Sequence, residues 1–587
     1  MKRFMAGCAM ATCIHALALA EAANAQAASP ASSASDPDAS ASDTGLQEII
    51  VTAQRREEST QKAALAITSL AGADLVSAGV SDVTRLGTQV PGLDAVASGV
   101  SNVVFLRGVG NFVTTPISDS AVATNYDGVY AGRTASGFSF FDLQRVEVLK
   151  GPQGTLYGRN ATGGAINIIP QRPSAGEFGG YGSISYGNYN DLQLESAFNL
   201  PLGQKGAFRA SGYVRDRDGY LKDGANDNKS AALRLQMMAE LTPALTIRVA
   251  GDYSHQGGHG GGTSYIGRYQ AGPGGYTFIP SGLPLSEGLF TPAAQAFRQQ
   301  IFIAPSGRLD APVTGYPWRR NNFYGANAEL TYDTGAGTLT FIPAWRYAHI
   351  NQVSSSASFT TRQREKIEQY SAELRFTGNR LGMFDYILGG YAFRERIDSL
   401  FIVSASALLS APEQHFTTTS FAPFARITAN LSDRLRLVGG MRYTVDKKTF
   451  DHQFLQVVVA CPAAPGMLPN CPGAPLVTPY VDSLNHLPFP LPAAGAPPIP
   501  IGGGAIAVRS DSSMNLRLKN TRVTWRAAAE YDVAPRSLLY ASVETGCHVT
   551  TLPDMLRKID FLRQHLDDED HWGDWTLADL KRIAGEA

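Results

Sequence analysis

The sequence predicts a mostly β protein in which a transmembrane antiparallel β-barrel follows a smaller N-terminal α/β domain. Three observations predict this fold. The 587-residue chain is only 17% charged but contains 59 glycines, 23 tyrosines and 27 phenylalanines, which favours strands and turns over a helical cytosolic enzyme. Apolar and polar residues alternate along most of the chain, and an export signal precedes them. Because 50 basic residues balance 51 acidic ones, we expect no nucleic-acid partner.

Residues 1–25 have the pattern of a secretory signal peptide. Lys2 and Arg3 precede an apolar run, and Ala23-Asn24-Ala25 supplies a cleavage site. Residues 26–45 are rich in Ala, Ser, Asp and Pro, which predicts a flexible linker. We therefore expect an exported protein with a tethered N-terminal segment.

Beyond about Pro173 the chain alternates between strand and turn patterns. Segments 327–332, 372–377 and 434–443 place apolar residues on one face and polar residues on the other. A soluble β-sandwich would show the same alternation, with its apolar faces inward. The export signal, segments of about 10–14 residues and aromatic residues near the segment ends favour a transmembrane barrel.

The connections between these segments are very unequal in length. Some contain only a few residues, whereas those at about 257–321 and 448–519 are long. Transmembrane barrels combine short periplasmic turns with long outer loops in this way. We count roughly 13 candidate strands between Glu177 and Gly546.

Several segments resemble the TonB-dependent outer-membrane receptors. The segment after the linker resembles the TonB box of that family and contains Glu48, Ile49, Ile50, Val51, Thr52 and Ala53. The motifs at 90–93 (VPGL) and 105–110 (FLRGVG), and above all the run 141–173, are similar to its plug domain. The resemblance covers about residues 46–546.

The resemblance implies a domain order and a function. It places a TonB box at 46–54, a plug domain at 55–173 and a β-barrel around the plug at 174–546. It also implies energy-coupled uptake of a scarce bulky solute across the bacterial outer membrane. An iron–siderophore complex is the first candidate, while vitamin B12, haem, oligosaccharides and other plant-derived organic molecules remain open. We expect no enzymatic activity and no cofactor.

The implied partners are TonB, driven by ExbB and ExbD, and the lipid of the outer membrane. A tethered segment rich in Ile and Val can add as a strand to the sheet edge of a partner, which suits a TonB box. The resemblance further suggests that Arg107 and Arg159 of the plug pair with barrel glutamates, with Glu373 as the candidate acceptor. The alternative is that these charges are solvated in a wet lumen.

The last 41 residues, 547–587, differ from the rest of the chain. They contain nine acidic and five basic residues, and their apolar residues have helical spacing. Members of the family close a 22-stranded barrel, which roughly 13 strands cannot do. We therefore expect an incomplete barrel with a short, foreign-looking helical tail, truncated or fused by a frameshift, a gene fusion or an assembly error. The alternative function is a non-transporting remnant that acts only as a binding or interaction module.

Other motifs are weaker. The stretch 257–262 (GGHGGG) lacks the Lys-Ser/Thr of a P-loop, and we interpret it as part of an outer loop, with metal binding by His255 and His259 as a weak alternative. In an oxidising compartment Cys461 and Cys471 could form a disulfide. A metal site there is the weaker interpretation, because no His cluster accompanies the two cysteines.

Overall fold

The computed structural model of the chain describes residues 50–52, 54–56, 58–98, 101–112, 116, 118–272, 275–301, 315–356, 359–405, 408–460, 487–534 and 537–545. The predicted signal peptide, linker, cysteine pair and helical tail lie outside the described residues. The same holds for Glu48, Ile49 and Ala53 of the predicted box.

Short strands dominate the N-terminal domain. Its elements are β1 (Ile50–Val51), β2 (Glu58–Ser59), β3 (Ala66–Ala71), α1 (Gly72–Ser77), a 3₁₀ helix (Val83–Thr88), β4 (Leu93–Ser98), β5 (Ser101–Leu106), β6 (Val109–Gly110), β7 (Val122–Tyr126), β8 (Val129–Tyr130), a second 3₁₀ helix (Gly132–Gly137), β9 (Leu143–Lys150) and β10 (Gly164–Pro170). A five-stranded sheet has the order β3-β9-β10-β7-β8, and β10 runs parallel to β7 and antiparallel to β9.

Both faces of this five-stranded sheet are covered. Val146 and Ile166 belong to the apolar cluster on one face, whereas Leu149 and Ala165 belong to the cluster on the other. Full burial of a Val, Leu or Ile side chain contributes roughly 1.5–3 kcal/mol. A sheet buried on both faces needs near-continuous apolar runs, and any polar residue within it must find hydrogen-bonding partners.

A second, larger sheet occupies the rest of the described chain. The elements are β11 (Gly179–Gly187), a 3₁₀ turn (Asn188–Asn190), β12 (Asp191–Pro201), β13 (Gly206–Arg217), β14 (Asn228–Thr242), β15 (Leu245–Gly257), β16 (Gly267–Gly272), β17 (Gly275–Pro280), α2 (Pro292–Ile301), β18 (Trp318–Arg319), β19 (Asn321–Asp333), β20 (Gly337–Ser355), β21 (Phe359–Leu381), β22 (Phe384–Ala405), β23 (Leu408–Asn430), β24 (Leu435–Ala460), β25 (Ile499–Gly502), β26 (Ala505–Ala534) and β27 (Ser537–Glu544). Strands β16 and β17 form a separate hairpin.

The large sheet is antiparallel and contains fifteen strands in the part of the chain that the structure describes. Its order is β11-β12-β13-β14-β15-β19-β20-β21-β22-β23-β24-β26-β25, with β18 on β20 and β27 on β26. Thirteen of these strands have eight or more residues, in agreement with the predicted number. Within the described residues no ladder joins β11 to β27, so the sheet has two edges. The predicted mostly β fold is confirmed.

The two faces of the large sheet have opposite character. On β21 the buried face carries Glu365, Gln369 and Glu373, whereas the exposed face carries Tyr370 and Leu374. Polar residues thus point inward, towards the N-terminal domain, and apolar residues point outward. This is the arrangement of a transmembrane barrel and the inverse of the soluble sandwich. No helix in the described part of the chain is long and apolar enough to cross a bilayer.

The two ends of the large sheet also differ. We call the end with the short connections 202–205, 243–244, 334–336 and 431–434 the turn end. The opposite end, which carries the connections 218–227, 258–320 and 461–504, is the loop end. Because barrels place short turns in the periplasm and long loops outside the cell, this assignment orients the N-terminal domain relative to the two compartments.

Candidate functional site

The described part of the predicted TonB box is docked on the N-terminal domain. Strand β1 pairs antiparallel with β2, with Ile50 opposite Ser59 and Val51 opposite Glu58. Val51 is fully buried, whereas Ile50 is 43% exposed. The box segment is therefore held by one buried side chain and a two-residue ladder, which is a small contact.

Glu147 holds the residue that follows this ladder. Glu147 lies on β9 and is fully buried. Its Oε1 accepts hydrogen bonds from the backbone N–H of Thr52 at 2.8 Å and from Nε of Arg145 at 2.8 Å, and the Thr52 hydroxyl donates to it at 3.3 Å. Nδ2 of Asn167 donates to Oε2 at 3.3 Å. Hydrogen bonds to a carboxylate are roughly twice as strong as neutral ones, so this buried group is the main polar anchor of the box segment.

The network continues from Glu147 to the wall of the large sheet. Nδ2 of Asn167 also donates to the Tyr157 hydroxyl at 2.6 Å. The guanidinium of Arg55 lies 4.9 Å from the centre of the Tyr157 ring and forms a salt bridge of 3.1 Å with Glu373 on β21. A continuous set of contacts therefore connects Thr52 with Glu373 through the interior of the N-terminal domain.

Glu373, the predicted acceptor, thus pairs with Arg55 rather than with Arg107 or Arg159. Arg107 and Gly108 form the tight turn between β5 and β6, with φ values of 52° and 77°. This turn leaves the Arg107 side chain exposed, and among the described residues it forms no salt bridge. The pairing of Arg107 with a barrel glutamate is therefore not found in the described structure.

Arg159 is buried and reaches the large sheet, where the barrel glutamate Glu395 on β22 interacts with it electrostatically. Its guanidinium lies 4.6 Å from the ring centre of Phe393 on β22. Its ion-pair partner is Asp119 of the N-terminal domain, at 3.7 Å. A cation over an aromatic face contributes about 0.5–2 kcal/mol, so the contact of Arg159 with Phe393 adds to its electrostatic interaction with Glu395, which is not the predicted Glu373.

Other ion pairs between the N-terminal domain and the large sheet were not predicted. They include Arg133–Glu365 at 3.0 Å, Arg209–Asp142 at 2.8 Å, Arg248–Asp127 at 2.7 Å and Arg172–Glu329 at 3.0 Å. The alternation along each strand indicates which residues point inward. It does not indicate which residue of the N-terminal domain each one meets, so these partners require the structure.

Asp127 of the N-terminal domain contacts three side chains of the large sheet. It follows β7 with a φ of 53° and precedes Gly128, which also has a positive φ; Asp-Gly is a preferred pair for such a turn. The carboxylate accepts hydrogen bonds from Arg234, Arg248 and Asn327. Burial alone would raise the pKa of Asp127, but the two guanidinium groups hold it well below its usual range. The turn is thereby fixed to the wall as an ionised group.

Aromatic side chains line the interior of the large sheet towards the loop end. The row consists of Phe416, Phe450, His452 and Phe454, with successive ring centres 4.6, 5.4 and 5.9 Å apart. Lys448, two residues before Phe450 on the same face, forms a salt bridge with Asp119. Asp119 also lines a cavity of about 60 Å³ between the N-terminal domain and the sheet. The aromatic row therefore begins where the tip of the N-terminal domain ends.

The glycine-rich stretch at 257–262 has a structural role in the described loops. The backbone N–H groups of His259 and Gly260 donate to the carboxylate of Asp227 at 2.8 Å. Gly258 and Gly260 have φ values of 83° and 74°, which only glycine adopts without cost. The stretch joins the loop 218–227 to the loop that follows β15.

Glu58 is a titratable group on the strand that pairs with the box strand. It lies on β2 opposite Val51, and its Oε1 has no hydrogen-bond partner among the described residues. Arg56 is 3.8 Å away. Burial raises the pKa of Glu58 to about 7, although Arg426 and Arg56 oppose this shift.

We expect the pairing of β1 with β2 to weaken as the pH rises towards 7. The pKa of Glu58 in the folded state lies above its unfolded value of about 4.3, so the folded state binds more protons between these values and stability declines as the pH rises through that window. Hydrogen exchange of the amides of residues 50–52, corrected for intrinsic rates and compared at about pH 5 and 8, measures this effect. Glu58→Gln should remove it, and an unchanged pH dependence in that variant would contradict the assignment.

Comparison with known proteins gives the family. Residues 59–165 match the protein family described as TonB-dependent Receptor Plug Domain. Residues 171–557 match the family described as TonB dependent receptor-like, beta-barrel. The second match alone covers more than half of the chain. The chain belongs to the TonB-dependent receptor family. Members of this family reside in the bacterial outer membrane and are not enzymes, as predicted, and the N-terminal domain described above is the plug of this receptor.

Similar curated proteins include pesticin receptors. This chain is 25% identical over 418 residues to the pesticin receptor of Yersinia pestis. The aligned region covers 68% of this chain and 56% of the relative. It is 26% identical over 398 residues to the pesticin receptor of Yersinia enterocolitica, and this alignment covers 65% of this chain and 53% of the relative. The chain therefore spans about half the length of the curated relatives it matches.

Solved structures show the same fold at low sequence identity. The ferric yersiniabactin uptake receptor of Yersinia pestis superimposes with a TM-score of 0.58 at 19% identity, over 82% of this chain and 64% of that one. A siderophore receptor of Acinetobacter baumannii has a TM-score of 0.58 at 14% identity, over 84% and 66%. Similarity at this level shows the fold alone.

Proposed function

We propose that this receptor takes up an iron–siderophore complex across the outer membrane, driven by TonB through residues 48–53. The observation that carries the proposal is the docking of the box segment on Glu147, within a network that reaches Glu373 in the barrel wall. A segment held by one buried side chain and a few hydrogen bonds can be withdrawn by a partner that offers its own sheet edge.

The aromatic row supports the proposed substrate class. Phe416, Phe450 and His452 present stacked rings on the interior wall, above the tip of the plug. Aromatic faces bind planar rings of a ligand in offset or edge-to-face geometry and contribute about 0.5–1.5 kcal/mol for each pair beyond burial. The similar solved structures include a ferric yersiniabactin uptake receptor and a siderophore receptor, which supports an iron complex as the first candidate.

The proposed mechanism begins with force on the box. TonB, energised by ExbB and ExbD, adds residues 48–53 to its own sheet and pulls towards the periplasm. The β1–β2 ladder separates first, followed by the hydrogen bonds of Thr52 to Glu147. The load then reaches the Arg55–Glu373 salt bridge, the first direct connection of the plug to the wall along this path. Its release opens a passage between plug and wall.

Replacing Ile49 by proline should abolish uptake. Proline removes a backbone N–H and fixes φ, so the segment can no longer complete a ladder with TonB. Accumulation of ⁵⁵Fe-labelled siderophore by cells that express the receptor measures the effect, and the expected uptake equals that of cells without TonB. Ile49→Ala, which keeps the N–H, is the control and should transport. Uptake that is indifferent to proline at this position would exclude energy coupling through the box.

The second candidate function is binding without transport. It is favoured by the two edges of the large sheet, because β11 and β27 are not paired with each other within the described residues. In the hydrocarbon layer each unsatisfied backbone group costs several kcal/mol. A receptor of this kind would retain labelled siderophore at the cell surface and deliver none to the periplasm even as the parent chain in cells with TonB, and the Ile49→Pro variant would bind the same amount.

A further inference from the structure

Buried charges on the barrel wall are paired on one side of the plug and unpaired on another. On strands β13 to β20 the buried charged side chains of the described structure all form salt bridges; they are Arg209, Arg215, Arg234, Arg248 and Arg346. On strands β22 to β24 they are Glu395, Arg426, Arg442 and Asp446. None of these four forms a salt bridge with another described residue. We call the interface between plug residues 153–160 and strands β22 to β24 the seam, and the interface of the plug with β13 to β20 the paired side.

The four charges of the seam lie in one column on the inner face of the sheet. Ladder pairing places Glu395 nearest the loop end, followed by Asp446, Arg442 and Arg426 towards the turn end. Arg426 pairs with Ile387 on β22, so its level and that of Glu395 are separated by roughly 26 Å along the strand. At a strand tilt of about 40° this equals about 20 Å along the membrane normal, whereas the apolar band of a transmembrane barrel is about 25 Å tall. The column therefore crosses most of the membrane.

A cavity adjoins each end of this column. Glu395 borders the cavity of about 60 Å³ described above, and Arg426 borders a second cavity of about 20 Å³ together with Gln153 of the plug. A water molecule needs about 10–15 Å³, so both cavities are large enough for water. Between them the plug and the wall are in close contact, because a Cβ atom on Gly158 would lie 2.7 Å from Cζ of Arg442. The seam is therefore a polar interface that is narrow at Arg442 and wider at both ends.

The groups of the seam are buried without close counter-ions. The Arg442 guanidinium donates a hydrogen bond to the Thr444 hydroxyl at 3.3 Å and lies 5.6 Å from the ring centres of Tyr391 and Phe424. On the plug, Nε and Nη1 of Arg159 have no hydrogen-bond partner among the described residues. A buried charge without a close counter-ion costs several kcal/mol, and proteins depart from full pairing mainly at functional sites. The seam is thus the side whose polar groups remain available to a solute.

We propose that the transported solute passes through the seam, and that Arg442 and then Arg426 bind its anionic oxygen atoms in succession. A guanidinium donates two parallel hydrogen bonds to a carboxylate or a similar group, so the column suits an anionic solute. The Arg55–Glu373 salt bridge involves β21, the strand next to the seam. Its release therefore frees this side first, while the paired side holds the plug. The inference rests on the proposed uptake function and specifies the route and the charge of the solute.

Two disulfide locks in the full chain compare the two sides. The seam lock is Thr155→Cys/Gly440→Cys, and the matched lock on the paired side is Gly137→Cys/Phe323→Cys. A Cβ atom added to the glycine would lie 2.9 Å from Cγ2 of Thr155 at the first site and 2.3 Å from Cγ of Phe323 at the second. The Cβ atoms of a disulfide lie about 3.5–4.5 Å apart, so each disulfide can form with small shifts. The cysteines beyond the predicted signal peptide are first replaced by serine, and this chain is the parent for comparison.

Oxidation of the seam lock should reduce uptake of ⁵⁵Fe-labelled siderophore to the level of cells without TonB, and a reducing agent should restore it. The oxidised lock on the paired side should transport like its parent. Binding of the siderophore to cells without TonB should be equal for both locks, and electrophoretic mobility before and after reduction verifies that each disulfide has formed. Equal loss of uptake in both locks, or loss on the paired side alone, would overturn the proposed route.

Arg442→Gln tests the contact with the anionic solute. It should lower the maximal rate of uptake about tenfold, the loss expected from one charged hydrogen bond, and leave the affinity at the cell surface unchanged because Arg442 is buried in the closed seam. Arg442→Lys keeps the charge and should give an intermediate rate. Arg215→Gln removes a buried arginine of the paired side and should transport like the parent chain. A weaker surface affinity with an unchanged maximal rate would contradict a role of Arg442 in transit.

Thiol labelling separates failure of the route from failure of the uptake function. Thr155→Cys lies in the seam and Ser211→Cys on the paired side, and both side chains are buried. In energised cells a membrane-impermeant maleimide should label the first variant faster with TonB than without it, and the second equally slowly in both. A parent chain that shows no uptake but gives this labelling would contradict the proposed solute alone. Normal uptake without faster labelling at position 155 would overturn the route.

Discussion

Glu147→Leu should free the box segment and weaken the plug by about 3–5 kcal/mol, the usual cost of removing one partner from a buried ion pair. Leucine fills a similar volume but accepts no hydrogen bond. The backbone N–H of Thr52, the Arg145 guanidinium and the Asn167 amide all lose an acceptor at the same time. Hydrogen exchange should show fast exchange at Thr52 and lower protection along β9 and β10.

Two further variants separate the contribution of charge from that of side-chain shape. Glu147→Gln keeps one carbonyl oxygen for Thr52 but lacks the negative charge, so its effect should be intermediate. Glu240→Leu removes a 39% exposed carboxylate that pairs with Lys205 at 2.9 Å, and an exposed pair of this kind contributes about 0–1 kcal/mol. If Glu147→Leu and Glu240→Leu gave the same exchange at Thr52, Glu147 would not be the anchor of the box.

Much of the fold could be predicted from the sequence because a barrel strand has a simple period. The alternation at 372–377 predicts a strand whose Leu374 faces outward, and the structure places it so. The export signal and the unequal connections then distinguish a membrane barrel from a soluble sandwich. Strands β20, β21, β22, β23, β24 and β26 have 19 to 30 residues. They exceed the predicted segments because they continue beyond the apolar band and lose the simple alternation there.

The contacts between plug and barrel could not be predicted in the same way. Glu373 was identified as an acceptor, but Arg55 lies 318 positions away in the sequence and no local pattern connects the two. Arg107 belongs to a recognisable motif, yet its role in the structure is set by the turn it shares with Gly108. A partner across an interface depends on the register of both surfaces, which is a property of the whole fold.

The contact of Asp127 with the barrel wall is the one for which the sequence contains a recognisable pattern. Asp127-Gly128 follows the strand-like segment 121–126 (AVATNY), and an Asp-Gly pair after such a segment predicts a tight turn. A carboxylate at the tip of a turn inside a barrel needs a cation, and inward-facing Arg234 and Arg248 on β14 and β15 supply two. The turn was therefore predictable, whereas the depth at which it meets the wall was not.

Asp127→Asn should destabilise the docking of the plug by about 1.5–3 kcal/mol at neutral pH, since two buried guanidinium groups lose a charged hydrogen-bond acceptor and keep only their second carboxylates, Asp252 and Glu329. Asparagine tolerates a positive φ nearly as well as aspartate, so the turn itself survives and the loss reports the charge. Hydrogen exchange along β7 and β8 measures the opening free energy of this region. Asp216→Asn, at a 59% exposed carboxylate that pairs with Lys229, is the matched control and should change little.

The pH dependence of the same variant gives an independent test. The folded-state pKa of Asp127 is lowered, so its contribution is present above the unfolded value of about 3.9 and is lost as the pH falls from there towards the folded value. The difference in opening free energy between the parent chain and Asp127→Asn should therefore be constant from about pH 8 to 5 and should shrink below pH 4. A difference that stayed constant into the acid range would show that the variant acts through packing of the turn rather than through the charge that Arg234 and Arg248 require.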